Sequence, residues 1–293
     1  MSRFINPFTD YGFKKIFGQE ISKDLLIDFL NDLLKGERVI TDLTFLNNEQ
    51  IPVWEDARAL IYDIHCVTDT GEKIIVEMQN KSQAYFKERA LFYLSHAVAR
   101  QGQTGGEWMF DIKAVYGVFF MNFLLKDSVK LRTDVILADR DTGELFTDKM
   151  RQIFIALPVF DKEEDECETD FERWIYTLKN METLKRMPFK ARKAVFEKLE
   201  EIADVASLSE EEHELYWKSI NAYRTHLCVL EASKEEGREE GRIEGRQEGR
   251  IEGRQEGRQE AELAIARSLK QRGIPVEVIA DTTGLTSEEI ASL

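Results

Sequence analysis

The chain has 293 residues, of which 43% are hydrophobic and 10% aromatic, so it can bury a substantial core. It has no run that approaches the ~18–20 apolar residues of a membrane-spanning helix, its amino terminus lacks a signal-peptide pattern, and we expect a cytoplasmic protein that does not enter a membrane. The net charge of −15 argues against a strong nucleic-acid binder, because phosphate contacts require Lys and Arg, although most of the excess acid lies after residue 160.

The amino-terminal part predicts two helices followed by a strand. Residues 6–18 are aromatic and basic, with a helix capped by Thr9 or Asp10. In this helix Lys14 either lies on the surface or contacts a phosphate. A second, amphipathic helix covers residues 22–34, and a first strand covers residues 39–46.

Residues 60–67 and 73–79 predict a β-hairpin, because both runs are apolar and β-branched and turn residues separate them. Gly71 suits the left-handed position that closes a three-residue loop, residues 69–71. That loop length pairs Thr68 with Glu72. The register of the whole hairpin follows from this pair.

Counting back along this register pairs Asp63 with Glu77. Opposed residues share a face, with Cβ atoms roughly 4.5–5.5 Å apart. Gln79 and His65 lie two residues along each strand, so they should point the same way. Two opposed carboxylates repel unless a divalent cation with oxygen ligands neutralises them. The alternative is a solvated sheet face on which the repulsion is mild.

A helix and three strands follow the hairpin. The helix covers residues 83–101 and sets Arg89 and Tyr93 one turn apart, where both could reach a phosphate. Arg89 could equally form a surface salt bridge with Glu88 or with a hairpin acid. The strands are predicted at residues 114–123, 129–138 and 152–157. This order gives an α/β fold, a mixed sheet with helices on both faces.

Four regions follow from these patterns. Residues 1–160 form the α/β core, and residues 161–235 form a helical extension. Residues 236–260 repeat the unit E-G-R-x, and residues 261–293 form a small helical cap. The cap resembles a helix-turn-helix, but its last 20 residues carry four acids and no base, which favours docking to protein over binding to DNA.

The repeat places a row of glycines between a row of glutamates and a row of arginines, at ~100° per residue of helix. Two such helices that run parallel and touch along glycine set each glutamate row beside an arginine row. An antiparallel pair opposes like charges. We therefore expect a homo-oligomer through residues 236–260. The competing interpretation is a flexible polar spacer.

The sequence resembles a known family at several places. They are the amino-terminal NPFTDYGFKKIFG, Asp63 followed after thirteen residues by Glu77-Met78-Gln79, the helix QAYFKERALFYLSHAVARQ, the EGR repeats and the closing IADTTGLTSEEIASL. These stretches resemble the PD-(D/E)XK nucleases, and in particular the Rpn group of recombination-promoting nucleases and transposases.

The resemblance implies a restriction-endonuclease-like fold and Mg²⁺-dependent hydrolysis of DNA that promotes recombination or DNA mobility. It implies that Asp63 and Glu77 bind Mg²⁺ and that the third motif residue places the attacking water. The superfamily name calls for lysine there, whereas this chain has Gln79, which can orient a water but carries no charge. We expect the carbonyl of Met78 as an extra ligand, with Asp10 a further candidate.

We expect the affinity for DNA to be modest and salt-sensitive. The alternative function is a nuclease fold whose cleavage is weak or lost through Gln79. Such a protein would act as an oligomeric partner-binding module through its helical tail.

Overall fold

The amino-terminal half folds into a six-stranded mixed sheet. The computed structural model describes residues 2–50, 60–125 and 130–293. The strands of the main sheet are β1 (Leu43–Phe45), β4 (Ile64–Thr68), β5 (Lys73–Gln79), β6 (Val115–Met121), β7 (Arg132–Ala138) and β8 (Leu145–Ala156). Two short strands, β2 (Glu49–Gln50) and β3 (Leu60–Ile61), form a separate antiparallel pair.

Helices lie before, within and after the sheet in sequence. They are α1 (Asp10–Phe17), α2 (Lys23–Leu33), α3 (Phe86–Ala99), α4 (Asp170–Asn180), α5 (Val195–Ala203), α6 (Glu210–Gln271), α7 (Val276–Thr283) and α8 (Ser287–Ser292). Thr9 caps α1 by accepting a hydrogen bond from the backbone N–H of Gly12, as the sequence predicts.

The sheet has the order β1-β4-β5-β6-β8-β7, in which β5, β6 and β8 run parallel and the outer pairs are antiparallel. All seven residues of β6 are buried, as a central strand covered on both faces requires. The fold-class prediction is therefore confirmed. A glycine marks the contact with α3, because a Cβ on Gly117 would come within 2.6 Å of a Leu94 methyl carbon.

Two hydrophobic clusters cover the two faces. On one face, alternate residues of β5 such as Ile74 and Val76 pack with α1, α2, α4 and α5. On the other face, Ile75 packs with Phe119 and residues of α3. Strand β5 therefore lies between two layers of helices, which flank the residues at its carboxyl end on both faces of the sheet.

Several predicted boundaries differ from the structure. Strand β1 is shorter than the predicted 39–46, because its pairing with β4 covers only Leu43–Phe45. Strand β8 begins at Leu145 rather than at residue 152, because its first residues pair with β7 next to the turn. Strand β2 lies between the predicted strand 39–46 and the hairpin, where the sequence predicts no strand, and residues 51–59 are outside the described residues. Residue 129, the predicted start of β7, is also outside them.

Two acids of α2, Asp28 and Asp32, are partly buried against the helical extension, whereas Asp24 on the same helix is exposed. Asp28 accepts a hydrogen bond from the indole N–H of Trp174 at 2.8 Å and pairs with Lys193. Asp32 pairs with Lys193 as well. These contacts come from α4 and from the segment before α5, so a local helical pattern could not predict them.

The chain divides into two compact units, Met1–Tyr223 and Arg224–Leu293. Helices α4 and α5 belong to the first unit. In the second, Ala266 of α6 packs with Ile279 and Ile290 of the two short helices. The boundaries predicted at residues 160, 235 and 260 stay predictions. Among the described residues, no helix is long and apolar enough to cross a membrane.

Candidate active site at the end of strands β4 and β5

The hairpin has the register that the three-residue loop predicts. Ile64 pairs with Val76 and Val67 with Lys73. At the turn, the N–H of Thr68 donates to the carbonyl of Glu72 at 2.9 Å, and Gly71 has a φ of 93°. The same register continued by one step beyond Ile64 places Asp63 opposite Glu77.

Asp63 nevertheless lies outside the strand, and in this detail the predicted continuous strand 60–67 is wrong. The chain bends at Asp63, between β3 and β4. The Asp63 carboxylate accepts a hydrogen bond from the backbone N–H of Met78 at 2.8 Å. It therefore takes the place of the backbone carbonyl that a regular neighbouring strand would offer to Met78. Since the N–H and C=O of one strand residue point to the same side, the Met78 carbonyl faces this gap too.

Glu77, on strand β5, contacts the backbone of Asp63 in return. Its carboxylate accepts hydrogen bonds from the backbone N–H of Asp63 at 3.1 Å and from the Gln79 amide at 3.4 Å. The side chain is buried, with 4% of its surface exposed. Gln79 therefore points the same way as Glu77, as predicted.

Burial is also the main cause of the unusual electrostatics. It raises the pKa of Glu77 to about 8, with the nearby Asp63 carboxylate as the second cause. Burial likewise raises the pKa of Asp63, although the Met78 N–H and the charge of Lys14 oppose this rise. The two acids therefore lie close together in a buried place, which disfavours a negative charge on both at once.

Asn48 holds the bend that positions Asp63, and no motif in the sequence signals it. Its side-chain Nδ2 donates to the Asp63 carbonyl at 2.9 Å. Its Oδ1 accepts from the N–H of His65 at 3.1 Å. The side-chain amide of Asn48 therefore replaces two backbone hydrogen bonds of the sheet, just after β1 ends.

A cavity of about 100 Å³ opens beside Asp63 on the side of α1. Its lining residues are Phe8, Thr9, Asp10, Phe13, Asp63, Met78 and Asn80. Asp10 is exposed and forms an ion pair with Lys14 at 2.7 Å, and both charges influence the pKa of Asp63. The structure thus brings Asp10 and Lys14 near Asp63.

Arg89 approaches from α3 on the other side. Its guanidinium donates to the Gln83 side chain at 2.6 Å and lies over the rings of Phe86 and Tyr93, 5.6 and 5.9 Å from their centroids. Its charge lowers the pKa of Glu77, against the larger effect of burial. Tyr93 packs against Tyr62, with ring centroids 5.1 Å apart.

His65 is buried on the face of the hairpin that also carries Glu77. Only 5% of its surface is exposed, and its ring meets Tyr62 edge to face at 5.1 Å. Burial lowers its pKa, so the neutral ring is favoured. His65 pairs with Ile75, two residues before Glu77, so it points to the same face of the sheet as Glu77, and its role at the site stays a prediction.

The donor set fits a hard divalent cation. Asp63 and Glu77 are carboxylates, the Met78 carbonyl faces the same gap, and oxygen is the ligand that Mg²⁺ prefers. Within residues 2–50, 60–125 and 130–293, no three His, Cys, Asp or Glu side chains gather in a way that could hold a metal ion. A cation here would therefore take its remaining ligands from amide or carbonyl oxygens and from water.

A mixed sheet that carries Asp63 at a strand end and Glu77-x-Gln79 on the adjacent strand defines the class of PD-(D/E)XK nuclease folds. The model of the PD-(D/E)XK nuclease family transposases matches residues 7–233, well over half of the chain. The protein belongs to this family, which confirms the resemblance and implies a nuclease that hydrolyses phosphodiester bonds. No curated protein and no solved structure shows a significant match to the chain.

Proposed function

We propose that the protein is a metal-dependent DNA endonuclease that uses Mg²⁺. The observation that supports this most strongly is the interlocked pair at the end of the hairpin. Asp63 bonds the backbone of Met78 while Glu77 bonds the backbone of Asp63. Both carboxylates are thereby held together just before β4 begins, and the burial of Glu77 beside a second acid has no benefit for the fold itself.

Each residue then has a defined role. Asp63, Glu77 and the Met78 carbonyl hold the cation. When bound, the cation supplies the positive charge that polarises the phosphodiester and activates water. Gln79 orients the attacking water, whose proton leaves to solvent because a neutral amide cannot accept it. The water oxygen bonds to phosphorus as the P–O3′ bond breaks, which leaves a 3′-hydroxyl and a 5′-phosphate.

The substrate contacts come from the two flanking helices. Arg89 and Tyr93 of α3 and Lys14 of α1 stand on either side of the carboxylates, where a phosphate backbone could be held. The cuts would promote recombination or DNA mobility. Because the chain carries a net charge of −15, DNA affinity should be modest and should fall with added salt.

The test is plasmid nicking with Mg²⁺, on wild type, Asp63→Asn and Glu77→Gln. These replacements keep the size of each side chain and remove only its charge. Asp141→Asn, in the exposed β7–β8 turn, is the matched control. We expect nicking by wild type and the control and at least about a hundredfold loss in the two site variants. Equal rates in all four proteins would rule out this active site.

A second proposal concerns self-association through residues 236–260. Helix α6 continues without a break across the repeat. A Cβ added at Gly237, Gly241, Gly245, Gly249, Gly253 or Gly257 would meet no atom within 4 Å. This open row would let two parallel helices approach closely while their glutamate and arginine rows pair. Self-association of this kind also fits the alternative function, an oligomeric partner-binding protein with weak nuclease activity.

Analytical ultracentrifugation separates this proposal from a polar spacer. We expect wild type to sediment as an oligomer and a variant lacking residues 236–260 to sediment as a monomer. The comparison should be repeated at high salt, because paired charge rows weaken under screening. An unchanged oligomeric state after the deletion would contradict the proposal.

A further inference from the structure

Asn80 follows the motif Glu77-Met78-Gln79 directly, and its side chain reaches the cavity beside Asp63. The amide Nδ2 donates to the backbone carbonyl of Phe8 at 2.6 Å. This hydrogen bond fixes which way the amide is turned, since a carbonyl oxygen accepts only from the NH₂ end. The Oδ1 atom is therefore the end of the amide that remains for another partner.

That oxygen is buried, and among the described residues it has no hydrogen-bond partner. A buried amide oxygen without a partner has lost its hydration, and no hydrogen bond within the protein replaces it. Such an atom requires a donor or a cation. Two acids, Asp63 and Asp10, line the same cavity, and Asp10 also pairs with Lys14. A cation would satisfy this oxygen and the acids together.

The small number of acidic side chains also indicates that a cation here needs a ligand other than a carboxylate. No three acidic, histidine or cysteine side chains converge anywhere in the described part of the chain, so the carboxylates alone are too few for a six-coordinate ion. The cavity volume of about 100 Å³ holds a cation with a few of its waters. Mg²⁺ in particular keeps several waters when it binds to proteins.

We propose that Asn80 Oδ1 is a protein ligand of a divalent cation that also contacts Asp63 and binds in this cavity, between Asp63 and the loop that carries Phe8. Glu77 points to the opposite face of β5 and does not line this cavity. This inference rests on the proposed metal-dependent function and extends it to a residue outside the motif. It also assigns the Phe8 carbonyl a role, since that carbonyl orients the amide toward the ion. The amino-terminal loop and the hairpin would then close around one cation.

The experiment measures Mn²⁺ binding to the metal-free full-length protein by calorimetry, without DNA. Wild type is compared with Asn80→Leu and Asn80→Asp. Both variants lose the N–H that bonds Phe8, but only Asn80→Asp keeps an oxygen at the ligand position. The difference between the two variants therefore isolates the oxygen from the hydrogen bond. Thermal melting in a chelator shows whether each variant is folded.

We expect Asn80→Leu to weaken Mn²⁺ binding by at least about tenfold. Asn80→Asp should bind as tightly as wild type or more tightly, because it adds a charge to the ligand set. Equal affinities for Leu and Asp would overturn the role of Asn80, and if wild type still binds Mn²⁺ and nicks DNA, the proposed function stands. No Mn²⁺ binding by wild type would instead remove the metal site itself. If Asn80→Leu fails to fold, weaker binding by Asn80→Asp than by wild type is enough to reject the inference.

Discussion

The side chain of Asn48 is bonded to the backbone of Asp63, with Nδ2 2.9 Å from the Asp63 carbonyl oxygen. The same amide accepts from the N–H of His65, so it spans the residue where the strand bends. Asp63 can turn its carboxylate toward Met78 because its own backbone no longer follows the ladder. Asn48 is thus a positioning residue for the proposed ligand.

Replacing Asn48 by alanine should therefore reduce nicking more than it reduces stability. The two lost hydrogen bonds should lower the free energy of unfolding by about 1–3 kcal/mol. Nicking should fall by at least about tenfold, since the Asp63 carboxylate is no longer held in place. Urea unfolding and initial rates of plasmid nicking measure the two effects.

Asn31 offers a matched control, because its amide holds another backbone segment in the same way. It donates to the carbonyl of Ile40 at 2.9 Å and accepts from the N–H of Ile40 at 2.7 Å. Asn31→Ala should lose similar stability and keep wild-type nicking at a temperature where both variants are folded. Equal losses of nicking in both variants would show that Asn48 acts through stability alone.

Glu77→Gln should stabilise the metal-free protein above pH 7. The folded protein raises the pKa of Glu77 from its ordinary value of 4.5 to about 8. A carboxyl group with a raised pKa binds its proton more tightly in the folded state, so stability is highest below pH 4.5 and falls until about pH 8. Glutamine has no proton to lose and avoids this decline.

The expected gain is about 1–3 kcal/mol at pH 9 and close to zero at pH 4. Urea unfolding in a chelator at both pH values measures it. With Mn²⁺ added, the order should reverse, because the ion stabilises wild type and has lost one ligand in the variant. A variant less stable than wild type at pH 9 in the chelator would contradict the burial of an ionised Glu77.

Local rules predicted the parts of this site that depend on local geometry. The loop closed by Gly71 determined the register, and seven continuous apolar residues marked β6. The bend at Asp63 was not predictable, because it depends on Asn48, which lies 15 residues away across a loop. Asn80 was missed for the same reason, since its partner Phe8 lies 72 residues earlier. A side chain that replaces a backbone hydrogen bond of the sheet produces no periodic pattern in the sequence, so the pattern of residues does not reveal it.

Gln79→Lys should increase the nicking rate. A lysine ammonium at this position would lie beside the Glu77 carboxylate, where the Gln79 amide is now 3.4 Å from it. Its positive charge would favour the ionised form of Glu77 and stabilise the negative charge of the attacked phosphate. Initial rates with Mg²⁺ should rise by about tenfold. Gln79→Met, of similar length and without charge, should be slower than wild type, and a lysine variant no faster than methionine would contradict this role.

The pair of Lys15 and Glu212 should make stability depend on pH in the acid range. Glu212 is hydrogen-bonded by the Lys15 ammonium and by the backbone N–H of Ser209, and these contacts lower its pKa to about 2. A lowered pKa stabilises the fold above pH 4.5, and this contribution is lost as the pH falls toward 2. Glu212→Gln should therefore cost about 0.2–1 kcal/mol at pH 7, since both groups are partly exposed, and less at pH 3. A cost that is constant between pH 7 and pH 3 would contradict the pairing.

Replacing Gly245 and Gly249 by alanine should separate helix propensity from self-association. In a single helix each change should stabilise α6 by about 0.8–1 kcal/mol, because alanine loses less backbone entropy and no atom lies within 4 Å of the new Cβ. If two helices touch along the glycine row, the same methyl groups push them apart and weaken the oligomer.

Gln247→Ala with Gln255→Ala is the control, since these residues lie on the opposite side of the helix. We expect more helix by circular dichroism in both double variants, but a lower sedimentation mass only for the glycine variant. A glycine variant that keeps the wild-type mass would place the contact elsewhere.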